Sequence, residues 1–358
     1  MGPEARIDLA ALRHNLRVAH HAAPASRLIA VIKANAYGHG MQRVARALEQ
    51  ADAFGVARVE EGVQLREAGV GKPLLVLEGC FGPEELALAA CHDLQLVVAE
   101  PEQLALLAKA RLQRPVHCWL KVDTGMHRLG IPLQRAAAAF VALGAAPAVA
   151  DDLRLMTHLA CADTPADAAT EAQLRRFNPL VKAFGVETSI ANSAGILAWP
   201  DSHGDWNRPG IMLYGSSPMA GGVPDDHGLR PVMTLSTRLI AVRHLQQGDA
   251  VGYGGSWRCP EAMRVGVAAI GYGDGYPRHA PSGTPVLING QRAALVGRVS
   301  MDMITVDLRK IDDAEVGNPV VLWGEGLPAD EIARAAATIA YELFCGVTQR
   351  VRFRETNG

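Results

Sequence analysis

Near the start of the chain, the apolar run Leu28-Ile29-Ala30-Val31-Ile32 ends in a lysine, Lys33, followed by Tyr37 and the turn Gly38-His39-Gly40. A short apolar run rich in β-branched residues reads as a buried strand. Lysine is almost never fully buried without a partner. An amine at the carboxyl end of such a strand, beside glycines, is suited to chemistry. It can form a Schiff base with an aldehyde, and desolvation lowers its pKa toward a usable range. The same stretch also fits a solvated lysine in a strand-to-helix loop.

Further reactive types recur at comparable places. KVDTGMHRLG, from Lys121 to Gly130, carries Arg128 beside a Gly-rich turn. His158 ends a later apolar run, Asn192-Ser193-Ala194-Gly195 follows another, and Arg208-Pro209-Gly210 leads into Ile211. Each has a plainer reading. Arg128 fits an exposed arginine, His158 a satisfied core histidine, Ser193 a helix cap, Arg208 a surface charge before a turn, and Tyr37 a packing residue. Tyr253 in GYGG, Tyr272 in GYGDGY, Met301 and Asp302 in GRVSMDM, and Tyr341 are candidates in the last third of the chain. They fit turn aromatics, core and helix-face contacts equally well. Convergence of an amine, two arginines and a histidine at one end of one scaffold is what favours chemistry.

The elements between these residues supply such a scaffold. Asp8 can cap a helix carrying Leu9, Leu12 and Leu16. Apolar runs at Leu28–Ile32, Phe54–Ala57, Leu74–Leu77, Leu96–Val98, Val116–Val122, Leu153–Leu159, Glu187–Ala191 and Ile211–Leu213 give eight strand candidates. Helical stretches such as Val59–Ala68, Glu100–Ala110, Leu133–Leu143 and Asp167–Phe184 alternate with them. That alternation predicts an α/β fold, an N-terminal (β/α)8 TIM-type barrel over residues 1–230. A doubly wound open sheet is the alternative, but no G-x-G-x-x-G follows the first strand. Active sites of such barrels lie at the carboxyl ends of the strands, and phosphate often binds near the last two. Ser193, Gly210 and Ile211 are placed for that. Beyond Arg230-Pro231 the pattern turns to short strands and Gly-rich turns, with Asn289-Gly290 as a hairpin signal. Residues 231–358 are therefore expected to form a mainly β C-terminal domain with one helix near Glu331–Ala337.

Composition narrows the function classes. The chain has 358 residues, 49% hydrophobic and 20% charged, with a formal net charge of -2. This fits a soluble globular protein and gives no sign of nucleic-acid or anionic-membrane binding. No apolar stretch reaches membrane-spanning length, and the N-terminus lacks a signal-peptide core. The six cysteines (Cys80, Cys91, Cys118, Cys161, Cys259 and Cys345) are scattered, with no Cys-x-x-Cys and no His pair at ligand spacing. A reduced cytoplasmic enzyme without a metal site is the expectation.

Seven strings occur in order along essentially the whole chain: VIKANAYGHG, KVDTGMHRLG, ANSAG, DWNRPGIMLYG, VGYG, GYGDGYPR and GRVSMDM. On them the chain resembles the pyridoxal-phosphate-dependent alanine racemases, of fold type III. The resemblance implies a head-to-tail homodimer in which each C-terminal domain completes the other subunit's site. It implies that Lys33 carries pyridoxal 5'-phosphate and acts as one catalytic base, with Tyr253 of the partner subunit as the other. Tyr37, Ser193, Gly210, Ile211 and Tyr341 would bind the cofactor phosphate. Arg208 would face the pyridine nitrogen, and His158 would pack over the ring. Arg128 and the backbone near Met301 would hold the substrate carboxylate. Lys121 matches a position carbamylated in many members, where it orients Arg128. Tyr272, Arg278 and Arg298 match positions lining the entrance, with Asp302 beside Met301. The chain departs from the pattern at Ser189, where some members have histidine, and at Ser300, where some have cysteine. Interconversion of L- and D-alanine follows, serving peptidoglycan precursors or alanine breakdown. A decarboxylase on the same two-domain plan and a non-catalytic cofactor-binding protein are the alternatives.

Overall fold

The computed structural model describes residues 2–357. The chain forms two compact units, one from residues 13–213 and 218–222, the other from residues 1–12, 214–217 and 223–358.

The first unit is a closed barrel of eight parallel strands: Arg27–Val31, Ala53–Val56, Leu74–Val76, Leu94–Val98, Cys118–Asp123, Arg154–Met156, Thr188–Ser189 and Trp206–Asn207. Closure comes from pairing of Trp206 with Arg27 and of Asn207 with Leu28. Ala53–Val56 and Leu74–Val76 are buried throughout, as expected of parallel strands covered on both faces. Ile29, Ala53, Leu75, Val97, Trp119, Met156 and Trp206 form one core cluster.

Charged residues close the amino-terminal end of this barrel. Glu187 accepts from Arg154 Nε at 2.8 Å and Trp206 Nε1 at 2.9 Å, and pairs with Arg27. Arg27 also stacks 4.0 Å from the Trp206 ring centroid. Burial would raise the Glu187 pKa, but bonds from Trp206, Arg27 and Arg154 hold it at about 2. Structural charges at this end leave the opposite, carboxyl end for chemistry.

The eighth strand is not where the apolar run suggested. Ile211–Leu213 belongs to a 3-10 turn, Ile211–Tyr214, and the strand is the two-residue Trp206–Asn207. Arg208 therefore follows the last barrel strand rather than leading into it.

The second unit is built on the long strand Met233–Leu245. It pairs with Glu4–Asp8, Pro319–Trp323 and Met263–Ala268, and Arg352–Thr356 lies parallel to Glu4–Asp8 on its far side. Glu4–Asp8 thus joins this sheet, although a boundary at 230/231 assigns it to the barrel. Ala5 and Ile7 are buried while Glu4, Arg6 and Asp8 are half-buried, the alternation of a strand with one apolar face. Asp8 does cap the helix Leu9–Ala22, accepting from the Ala10 and Ala11 N–H groups. Asn289-Gly290 turns the hairpin between Pro285–Ile288 and Gln291–Ala294, with φ of 50° and 78°, as a primed turn requires. This unit carries two helices, Ala329–Ala335 and Ala340–Gly346, where one was expected. Among the described residues, no helix is long and apolar enough to cross a membrane.

Candidate active site

Lys33 leaves the first barrel strand and enters an unusual turn. Ala34, Asn35, Ala36 and Tyr37 all have positive φ, between 51° and 55°. Four successive non-glycine residues in the left-handed region cost about 1–2 kcal/mol each, so neighbours must hold them there. Ala36 N–H donates to Ile32 O at 2.8 Å, and Gly40 N–H to Asn35 O at 2.9 Å. Asn35 Oδ1 accepts from Met41 N–H at 2.9 Å. Glu61 Oε1 accepts from Ala34 N–H at 2.8 Å. Buried His39 directs Nδ1 at the carbonyls of Ala36 and Tyr37, 3.1 and 2.9 Å away. Burial holds the His39 pKa down at about 4, so the ring is neutral at physiological pH.

Arg208, 4% exposed, has no carboxylate partner in its hydrogen-bond set. Its Nη1 donates to Ser189 Oγ at 2.5 Å, and its Nη2 to Thr157 O at 2.6 Å and Ile190 O at 3.1 Å. Nη2 also lies 3.2 Å from His158 Nδ1. Guanidinium has no lone pair to offer, so His158 Nδ1 accepts and the ring proton sits on Nε2. Burial, then the charges of Arg208, Lys121, Arg128 and Lys33, keep the His158 pKa well below the ordinary histidine value. Burial pulls Arg208 down to about 10, which leaves it charged at neutral pH. The Lys121 amine falls to about 8, chiefly through burial and then through Arg208, Arg128 and Lys33, with Asp123 opposing. Four cationic side chains therefore share one end of the barrel. Asp123 is engaged in folding the next loop, accepting from Gly125 N–H, His127 N–H and His127 Nδ1.

Beside this group Ser193 is buried, and its Oγ accepts from Gly210 N–H at 2.8 Å and Met212 N–H at 3.4 Å. Its own hydroxyl hydrogen is then directed elsewhere. Ser193 is not the helix cap: Asn192 caps Ser193–Ala198, accepting from Gly195 N–H at 2.9 Å. A Cβ built on Gly210 would stand 2.7 Å from Tyr37 Oη, so only glycine lets the phenol approach this backbone. Ile211 follows, fully buried. Two hydroxyls meeting a glycine, next to uncompensated cations, suit a phosphorylated, anionic aldehyde cofactor.

The supporting residues are polar ones that sequence reading passed over. Gln173 donates to Thr124 Oγ1 and His158 O, and accepts from Ala160 N–H. Thr157 donates to Val122 O. These bonds fix the backbone that carries His158. Ser189, noted as a departure from the family pattern, is the residue that accepts from Arg208. Glu61 lies in the first turn of the helix Val59–Glu67. Nothing in local spacing marks Gln173, Thr157 or Ser189, because their partners lie on other elements, whereas Glu61 also bonds the start of its own helix.

Tyr253, Tyr272, Arg278, Arg298, Met301, Asp302 and Tyr341 lie in the second unit. Tyr253 opens the 3-10 turn Tyr253–Gly255 and is 69% exposed. Tyr272 N–H donates to Ser300 O at 3.1 Å, and Gly273 N–H to Met301 O at 2.8 Å. Arg350, not singled out by the sequence, joins both loops through Asp302 at 2.6 Å and Asp274 at 3.3 Å. Arg278 and Arg298 are exposed, and Tyr341 sits on Ala340–Gly346. Among the described residues, no group of three or more His, Cys, Asp or Glu side chains is arranged to hold a metal ion, and all six cysteines are free thiols.

Residues 7–218 match the family described as "Alanine racemase, N-terminal domain", and residues 232–355 match "Alanine racemase, C-terminal domain". The alanine racemase of Nitrosococcus oceani is 56% identical over 349 residues, covering 98% of each chain. A protein of Escherichia coli named "Alanine racemase, biosynthetic" is 50% identical over 349 residues, covering 97% of each. The crystal structure of the biosynthetic alanine racemase from Pseudomonas aeruginosa superposes with a TM-score of 0.97 at 46% identity over 99% of both chains.

Proposed function

The chain belongs to the alanine racemase family, and on that premise we propose that it interconverts L- and D-alanine by two-base proton transfer, with pyridoxal 5'-phosphate carried on Lys33. When bound, the cofactor supplies a conjugated electron sink that makes the substrate Cα–H acidic. Everything else falls to side chains. Tyr37, Ser193 and the backbone of Gly210 and Ile211 hold the phosphate, with Tyr341 as a further ligand by family motif. Arg208 faces the pyridine nitrogen. Guanidinium is a permanent donor, so that nitrogen stays unprotonated and side reactions such as transamination are restrained. His158 covers the ring. Arg128 and the backbone near Met301 hold the substrate carboxylate. A carbamate on Lys121 gives Arg128 an anionic partner, and an amine with a pKa of about 8 has the neutral fraction that this modification needs.

Racemisation needs a proton carrier on each face of the substrate carbon. Lys33 Nζ serves one face and Tyr253 of the partner subunit the other, in a head-to-tail homodimer. Exposure of Tyr253, Tyr272 and Met301 supports this arrangement, since these residues suit a shared site. Tyr272, Arg278, Arg298 and Asp302 shape its entrance. A cytoplasmic supply of D-alanine for peptidoglycan fits the biosynthetic name of the Escherichia coli relative.

One observation carries the reading: a buried arginine hydrogen-bonded only to neutral acceptors, amid further cations, beside a lysine ending a barrel strand. Such a cluster needs an anionic occupant. No observation favours the decarboxylase or the non-catalytic carrier. The test is to follow optical rotation with L-alanine, then reduce the cofactor-loaded protein with borohydride and map the label. Loss of rotation with the label on Lys33 is expected; absence of racemisation, or a label elsewhere, would overturn the assignment.

A further inference from the structure

We propose that His39 and Glu61 are positioning residues for the Lys33 amine, acting by holding the left-handed turn Ala34–Tyr37. The proposal rests on the racemase reading and extends it to two side chains with no place in the chemistry above. The turn begins one residue after Lys33 and ends on Tyr37, so its conformation sets where both stand. Only Asn35 in its sequence favours this shape, because Ala34, Ala36 and Tyr37 are poor candidates for positive φ.

The backbone holds part of the turn, with His39 N–H donating to Ala36 O at 3.0 Å and Gly38 N–H to Ala34 O at 3.1 Å, and the two side chains add what it does not supply. A left-handed turn leaves the carbonyls of Ala36 and Tyr37 close together. His39 Nδ1 lies 3.1 and 2.9 Å from them. Carbonyl oxygens only accept, so Nδ1 carries hydrogen and one N–H bridges both dipoles. Complete burial of His39 shields this bond from competing water. Glu61 works from the opposite end. Its Oε1 accepts from Ala34 N–H at 2.8 Å. Its Oε2 accepts from Ala57 N–H at 2.7 Å and Arg58 N–H at 3.4 Å. Ala57 follows the strand Ala53–Val56, which pairs with the strand leading to Lys33. One carboxylate thus staples the residue after the lysine to the end of the neighbouring strand. Only an acceptor-only side chain with two oxygens can serve N–H groups on both sides.

Three variants of the full-length protein separate positioning from bulk packing. His39→Leu keeps volume but removes the donor. His39→Asn places an N–H at the same distance from the backbone. Glu61→Gln turns one acceptor into a donor facing an N–H group. Cofactor affinity by absorbance titration, visible circular dichroism of the loaded protein, kcat, KM and the melting temperature of the cofactor-free protein are compared. A displacement of order 1 Å at a reacting group can cost about a hundredfold in rate. His39→Leu should lose about tenfold or more in cofactor affinity and kcat, with an altered dichroic band. His39→Asn should restore both to within about threefold. Glu61→Gln should move all three readings in the same direction. Parent-like affinity, dichroism and kcat in His39→Leu and Glu61→Gln would overturn the proposal, as would an Asn variant no better than Leu. If His39→Leu does not fold, the half-exposed Glu61 position decides alone: parent-like affinity and dichroism there would overturn it. A parent protein that neither loads cofactor on Lys33 nor racemises alanine would instead overturn the racemase reading.

Discussion

Replacing Lys121 with methionine should make the cofactor-free protein more stable at neutral pH while impairing its activity. The Lys121 amine titrates at about 8 in the folded chain against 10.5 ordinarily. Burial is the first cause, followed by the like charges of Arg208, Arg128 and Lys33. One unit corresponds to about 1.4 kcal/mol, so holding this ammonium in place costs about 3 kcal/mol, less wherever water reaches it. The sign follows from a folded pKa below the unfolded one. Below pH 8 both states are protonated and the full cost is present. Between 8 and 10.5 the folded chain has released its proton while the unfolded chain has not, so the cost fades, and above 10.5 it is gone. Methionine fills similar space without charge. In carbonate-free buffer at pH 7, Lys121→Met should raise the melting temperature by roughly 5 °C. That advantage should shrink steadily between pH 8 and 10.5. Added bicarbonate should stabilise the parent and leave the variant unmoved if the amine becomes a carbamate. An advantage that is absent at pH 7, or equally large at pH 10.5, would refute the reasoning.

Arg208→Glu should load cofactor yet raise transamination relative to racemisation, measured as pyruvate formed per turnover; an unchanged ratio removes the role given to the guanidinium. Tyr253→Phe should suppress Cα hydrogen exchange with solvent from L-alanine far more than the step served by Lys33, and equal losses for both enantiomers would count against separate proton carriers. Gly210→Ala puts a Cβ 2.7 Å from Tyr37 Oη. It should weaken cofactor binding about tenfold in an absorbance titration, with phosphate-free pyridoxal affected much less.

The barrel was legible because buried parallel strands are written as continuous apolar runs. Seven of the eight were found within a few residues. The eighth was misplaced because apolar content alone does not separate a strand from a buried 3-10 turn: Ile-Met-Leu-Tyr has the right composition, whereas Trp206–Asn207 is too short to show a pattern. Glu4–Asp8 and Arg352–Thr356 escaped notice for another reason. Each carries three charges in five residues, and their pairing joins segments far apart in the chain. Lys33 and Arg208 stood out by type and position. The turn Ala34–Tyr37 could not be foreseen, since no glycine announces its positive φ, and bonds from His39 and Glu61 add to those of the backbone and Asn35.

The strand Glu4–Asp8 lies between two partners that are synthesised long after it. Residues 9–232 must leave the ribosome before its antiparallel neighbour exists, and almost the whole chain before its parallel one. At about 5–20 residues per second the wait for the antiparallel neighbour is roughly ten to forty-five seconds, and for the parallel one roughly seventeen to seventy. While the barrel is being translated, Ala5 and Ile7 have no sheet to enter, so this strand is open to chaperones and to mispairing. Completion of the second sheet therefore follows translation of the barrel and comes late in assembly.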